Sequence, residues 1–375
     1  MRRLAALAAI LGLIAGACGG TASNPPTSTP ALTATPAPTV APTAEPTPAP
    51  TPEPTAEPTP RPPATWALVT AAGSGPAARE DHTWTVDPEG VTAYLFGGRN
   101  GGTTFADLYA FDLATDTWRA LAPDGSKPAG RFGHEAAWVD GVGLVVFAGQ
   151  ANATTFFGDL WAYDPAANRW TELPAAGAAP VPRYGSCSGV GPDGRLWISH
   201  GFTEDRARFF DTKAYDFDLQ RWIDLTPDGR TPVERCLHAC WWTGDGRFVL
   251  YGGQTTTVAA LGDLWSLTPG SGDTPGAWTQ FDGTLPAERA LPAFASFGES
   301  QLVFGGKSIG GAYLGDAYVV DGRSLTVSPP MIEGASPSGR ASSTLIEDRE
   351  RAHVLLFGGT GTNGAFSELW QLSTP

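Results

Sequence analysis

Ala93-Tyr94-Leu95-Phe96-Gly97-Gly98 decides the fold of this chain, because the same phrase returns five more times. The doublet recurs as Ala148-Gly149, His200-Gly201, Gly252-Gly253, Gly305-Gly306 and Gly358-Gly359, each after a β-prone run such as Leu144–Phe147 or Val354–Phe357. Apolar and β-branched runs bounded by Gly and Pro turns read as strands. A polar loop follows each doublet. Then comes Asp107-Leu108-Tyr109, Asp159-Leu160-Trp161, Lys213-Ala214-Tyr215, Asp263-Leu264-Trp265, Asp316-Ala317-Tyr318 or Glu368-Leu369-Trp370. Trp66, Trp118, Trp170 and Trp222 stand 52 residues apart and close successive units. A period near 50 means one supersecondary unit copied around a ring. Four short antiparallel strands per unit make a propeller blade, so the expected fold is all-β with six blades.

Doublet, aromatic after Asp-Leu, and closing Trp, all in phase, resemble the kelch-repeat β-propeller from about Trp66 to Pro375. The central domain of galactose oxidase is similar. The resemblance implies that each innermost strand starts at an Arg and each outermost strand carries the Trp. The chain ends after a third strand, at Gln371-Leu372, with no closing Trp. The orphan Trp66-Ala67-Leu68-Val69 is therefore expected to complete the last blade and remove two sheet edges. Units five and six depart from the pattern, with Leu325-Thr326-Val327 where a Trp is due. Eight of the 13 Trp fall on the two repeat positions, so they read as filling between blades rather than as a ligand platform.

The N-terminus is different in kind. Met1-Arg2-Arg3 and the apolar run Leu4–Ala17 form a secretion signal, too short for a confident membrane span. Small residues before Cys18 resemble a bacterial lipoprotein processing site, which implies lipidation of Cys18. Residues 19–64 are mostly Thr, Pro and Ala, with Glu45, Glu53 and Glu57, a composition that builds no core and favours extended chain. At about 3.1 Å per residue this spacer reaches on the order of 140 Å. The expected layout is signal peptide 1–17, linker 18–64 and propeller 65–375. The product is an extracytoplasmic monomer held to the membrane by its lipid. A formal net charge of −14 argues against nucleic acid and anionic lipid as partners.

Three cysteines remain for the oxidising compartment: Cys187, Cys236 and Cys240. Cys187 lies four residues after the Arg of unit three; Cys236 and Cys240 lie one and five after the Arg of unit four. Cys236 and Cys240 are about 13 Å apart on one strand, too far to bond. Alternation points Cys187 opposite in sense to the other two, so adjacent blades bring it to face either one. Cys187–Cys240 is the expected bridge, with three buried thiols as the alternative.

Every unit has an Arg at the start of its first strand: Arg79, Arg131, Arg183, Arg235, Arg289 and Arg340. Strand direction puts all six on the face that carries the loops after Gly-Gly, where Arg99, His200 and Lys307 also lie. Two readings compete. Guanidinium forks at a channel mouth grip carboxylate or phosphate, as in the kelch adaptors of ubiquitin ligases that this pattern resembles. Alternatively each Arg pairs within its blade, with Asp107, Asp159, Asp263 or Asp316 at hand. His82, His134 and His238 follow three residues after their Arg; they read as packing, and no metal or other cofactor is expected. The copper set of galactose oxidase, a sialidase turn and a credible Ser-His-Asp order are all missing from the sequence. The expected function is a binding module for a protein segment or glycan on the Arg face. An oxidase or hydrolase at the channel mouth and a structural envelope protein are the alternatives.

Overall fold

The computed structural model describes residues 63–283 and 286–373. Cys18, the leader and most of the linker lie outside the described residues. The rest is an all-β, six-bladed propeller. Blade 1 runs Thr83–Val86, Thr92–Phe96, Leu108–Asp112 and Thr117–Leu121, and blades 2 to 4 repeat this plan. Blade 5 ends in the two-residue strand Val327–Ser328, after Leu325, which buries its side chain beside Tyr251 where other blades use Trp. Blade 6 consists of Thr344–Asp348, His353–Phe357, Leu369–Ser373 and the N-terminal strand Ala64–Val69, which pairs antiparallel with Leu369–Ser373. That strand starts one residue before the expected boundary at 65.

The repeat marks lock neighbouring blades together. The closing Trp of one blade packs on the aromatic that precedes the doublet in the blade before it. Trp118 meets Phe357 at 5.3 Å, Trp170 meets Phe96 at 5.3 Å, Trp222 meets Phe147 at 4.8 Å and Trp66 meets Phe304 at 5.5 Å. Blade 3 has Ser199 at that site, and the ring of His200 fills the space against Trp278 and His238. The first doublet residue sits at positive φ, and a Cβ on Gly97 would lie 2.6 Å from the Arg131 carbonyl. Gly is the residue that takes this close approach without strain.

Two closed rings of backbone hydrogen bonds run around the loop face. In the outer ring the second doublet residue donates to the Arg carbonyl of the next blade, from Gly98 to Arg131 through to Gly359 back to Arg79. In the inner ring Asp81, Gly133, Gly185, Leu237, Leu291 and Ser342 each donate to the carbonyl of the residue before, Asp81 closing on Ser342 at 3.0 Å. All six inner-ring residues have positive φ. The ring ties the six first strands together at one end of the channel.

Cys187 and Cys240 are joined across blades 3 and 4, with Cα atoms 5.9 Å apart. Cys236 is a buried free thiol.

Candidate functional site

The six arginines do not present free forks to a ligand, which corrects the binding role expected for them. Each is buried to within one per cent. Each donates to the carbonyl of the first doublet residue and to an acid opening the third strand of its own blade. Arg131 shows the pattern: Nη1 donates to the Ala148 carbonyl at 2.9 Å and to Asp159 Oδ1 at 2.7 Å, and Nη2 to Asp159 Oδ2 at 2.9 Å. Arg79 pairs with Asp107, Arg183 with Asp211, Arg235 with Asp263, Arg289 with Asp316 and Arg340 with Glu368. An aromatic ring covers most of the guanidiniums, as Phe157 covers Arg131 at 4.2 Å. The Asp-Leu-Trp mark follows from the same cluster, since Trp161 and Trp265 donate Nε1 to the acid two residues earlier. Burial alone would raise the Asp159 and Asp263 carboxyls. The Arg forks and indole donors hold both below the usual aspartate value. Such bidentate pairs position strands rather than capture ligands.

His200 is corrected likewise. It is fully buried, and Nδ1 lies 2.6 Å from Ser199 Oγ. Arg99 and Lys307 do reach the rim. Arg99 is one-third exposed; it pairs with Glu80 at 3.0 Å and Asp81 at 3.2 Å and lies over Phe132. Lys307 is half-buried, with Nζ 4.6 Å from the centroid of the Tyr313 ring.

Rim side chains come from a bridge repeated in every blade, between the residue after the Arg and the residue after the doublet. The pairs are Glu80–Arg99, Phe132–Gln150, Tyr184–Phe202, Cys236–Gln254, Ala290–Lys307 and Ala341–Thr360. The backbone geometry repeats and the side chains do not. Blades 2 and 3 crowd the rim with rings, Tyr184 touching both Phe132 and Phe202. Tyr184 also donates its hydroxyl to Asp81 at 3.0 Å, and burial, then Asp81, push its phenol well up. Beside blade 4 the loops 231–234 and 255–261 bound a groove of about 780 Å³ with Phe210. Phe210 and Val233 leave it 46% and 55% exposed, and Arg208 reaches Thr256 at its edge.

Known proteins share this construction. The family model for the KLHDC2/KLHL20/DRC7 Kelch-repeats domain matches residues 63–253. The chain belongs to the kelch-repeat family. Kelch domain-containing protein 3 from Bos taurus and from Homo sapiens is 28% identical over 214 residues, 54% of this chain and 55% of theirs. The alpha chain of the flagellar outer arm dynein of Chlamydomonas reinhardtii is 26% identical over 334 residues, 78% of this chain and 7% of that protein. The chain thus spans about half the length of these kelch relatives and a small part of the dynein. The family model's match ends at 253, before blade 5, whose closing position holds Leu325.

Asp211 on the wall and Glu135 in the channel escape a reading by motif. Asp211 and Glu368 complete the buried pairs, yet aligning unit three on Lys213-Ala214-Tyr215 hides Asp211. The signal that finds it is spacing: in five blades the acid lies 28 residues after the Arg, and in blade 5 it lies 27 after. Glu135 on the first strand of blade 2 is the other. It lines the central channel with Ser186 and Ser188 and accepts from Ser186 Oγ at 3.2 Å. Burial pushes its carboxyl up to about 8. Among the described residues, no group of three or more His, Cys, Asp or Glu is placed to hold a metal ion.

Proposed function

We propose that this kelch propeller is an extracytoplasmic, lipid-anchored binding module that holds a protein segment or glycan on its loop face. The observation that carries the reading is the contrast within each blade. Wall positions repeat as buried Arg–acid pairs, whereas rim positions on the same bridges differ from blade to blade. A scaffold that repeats while its loops vary is how a rigid fold carries recognition. The contact surface is the Phe210–Val233 groove with the rim cations Arg99, Arg208 and Lys307, not the six buried arginines. Phe210 and Val233 exposed in the groove, with Arg208 at its edge, favour a protein segment over a glycan. The Cys18 anchor and the Pro/Thr spacer would hold the head away from the membrane.

Peptide and glycan arrays probed with residues 63–375 test the binding surface. Val233→Asp and Phe210→Ala should remove the hits and leave the melting temperature unchanged; hits that survive both changes place recognition elsewhere. Acyl labelling tests the anchor, and a Cys18→Ser protein that stays membrane-bound refutes it.

A further inference from the structure

Glu135 stands out among the acids of the propeller interior; it is half-buried, on the wall of the channel. The wall acids each have an Arg, and Asp81 at the inner ring has Arg99. Glu135 has hydroxyl partners and no cation among the described residues. A carboxyl deep in a protein is ordinarily paired, because an isolated buried charge costs several kcal/mol.

Its surroundings are rich in oxygen. The channel cavity, about 250 Å³, is lined by Glu135 together with Ser186, Ser188, Thr83, Thr344 and Ser343. Ser343 is buried and its Oγ has no hydrogen-bond partner among the described residues; neither do the two ring nitrogens of His238, which line the same cavity. Each first strand pairs only with the second strand of its own blade, so six strand edges face the lumen with unpaired backbone groups. The inner backbone ring ties the strands at the loop-face end. At their opposite ends lies a second cavity, about 560 Å³, edged by Asp87, Glu89, Asp140 and Glu350, and by Arg349, which is paired with Glu347. An acidic entrance concentrates cations.

We propose that the channel lumen binds one small monovalent cation, an alkali-metal or ammonium ion, with Glu135 as its counter-charge and the Ser186 and Ser188 hydroxyls as neighbouring oxygens. A divalent ion is disfavoured because the carboxylate stands alone. The other titratable groups on the cavity are Asp81, His82, His134 and His238. Asp81 is already paired, and burial drives the three histidines toward their neutral form. Occupancy replaces the Glu135 proton by the cation, so binding releases one proton to solvent.

The test titrates KCl, NaCl and NH4Cl into the purified protein near pH 7, with tetramethylammonium chloride, whose methyl groups offer no N–H donor and keep its charge away from a carboxylate, holding ionic strength constant. Proton release and melting temperature are read together. The wild type should release close to one proton per chain and melt higher, with affinity rising up to about tenfold per pH unit below about 8. Glu135→Gln should do neither. Ser188→Ala, which keeps the carboxyl, should weaken binding without abolishing proton release. The salt that acts at the lowest concentration separates alkali-metal from ammonium binding. Absence of proton release in the wild type, or an equal response in Glu135→Gln, overturns the proposal and leaves Glu135 as a protonated partner of Ser186.

Discussion

Arg289 and Lys307 belong to one blade, and the residue after Arg289 bridges Lys307. Arg289 is fully buried and spends its fork on Asp316 and the Gly305 carbonyl. Lys307, across the bridge from Ala290, is half-buried and rests on Tyr313. The two cations share a face and a local backbone pattern, yet one is scaffold and the other is surface. What separates them is the acid that the third strand supplies. Wherever that strand opens with a carboxylate, the Arg is drawn inward, and in every blade but the fourth an aromatic ring lies over it. This is why a position repeated in all six blades belongs to the wall.

The sharpest way to break the comparison is to remove one wall cation. Arg131→Ala leaves Asp159 facing Trp161 with its guanidinium gone and the Ala148 carbonyl without that donor. Loss of one partner of a buried pair costs about 3–5 kcal/mol. Denaturant titration should show a loss of this size. If Arg131→Ala melts like the wild type and loses ligand instead, the wall reading fails.

The bridge across blades 3 and 4 comes next. Cys187 and Cys240 are 53 residues apart in sequence, so on loop entropy their bond contributes about 4 kcal/mol, an upper figure because the ring is already closed by its backbone. Reduction, or Cys187→Ser with Cys240→Ser, should lower the melting temperature. An unchanged transition under reductant would mean the seam holds without the bond.

Acid should loosen the same seams. Burial first, then the neighbouring Arg131 or Arg235, lowers His134 and His238 from 6.5 to about 3. These groups stay neutral when folded but take up protons when unfolded, so stability falls as pH drops from about 6.5 toward 3. Glu135 has the opposite sign. Its carboxyl, raised from 4.5 to about 8, favours the folded state at low pH, and that contribution fades as pH rises through 8. Melting curves across pH should therefore fall on both sides of a maximum. Glu135→Gln should flatten the fall above about 6.5 and steepen the fall between about 6.5 and 4.5, where Glu135 opposes the histidines.

The fold was legible because its marks are contacts between neighbours in the ring. A Phe before Gly-Gly and a Trp closing the next unit must meet for blades to pack, so both recur in phase. The Arg–acid pairs were half legible. Four acids stand in the Asp-Leu or Asp-Ala phrase and Glu368 in its Glu-Leu variant, but Asp211 is followed by Thr212-Lys213, so the phrase hides it. Whether a guanidinium is buried depends on the ring that covers it, which strand order alone does not state. Glu135 carried no signal at all. Its equivalents are Thr83, Cys187, Ala239, Ala293 and Thr344, and its desolvation arises when six blades close around one channel.

The smallest effect on stability falls on the other half of the comparison. Lys307→Ala removes a contact over the Tyr313 ring, and such a contact at a partly exposed site contributes about 0.5–1 kcal/mol. The melting temperature should move by little, while capture of an acidic ligand on the loop face should weaken and lose part of its dependence on salt. Titration of one array-selected peptide at low and high ionic strength measures both. If Lys307→Ala unfolds the blade as Arg131→Ala does, the rim is wall after all and recognition lies off this face. If it changes neither stability nor capture, the ligand bypasses blade 5 and the Phe210–Val233 groove holds it alone.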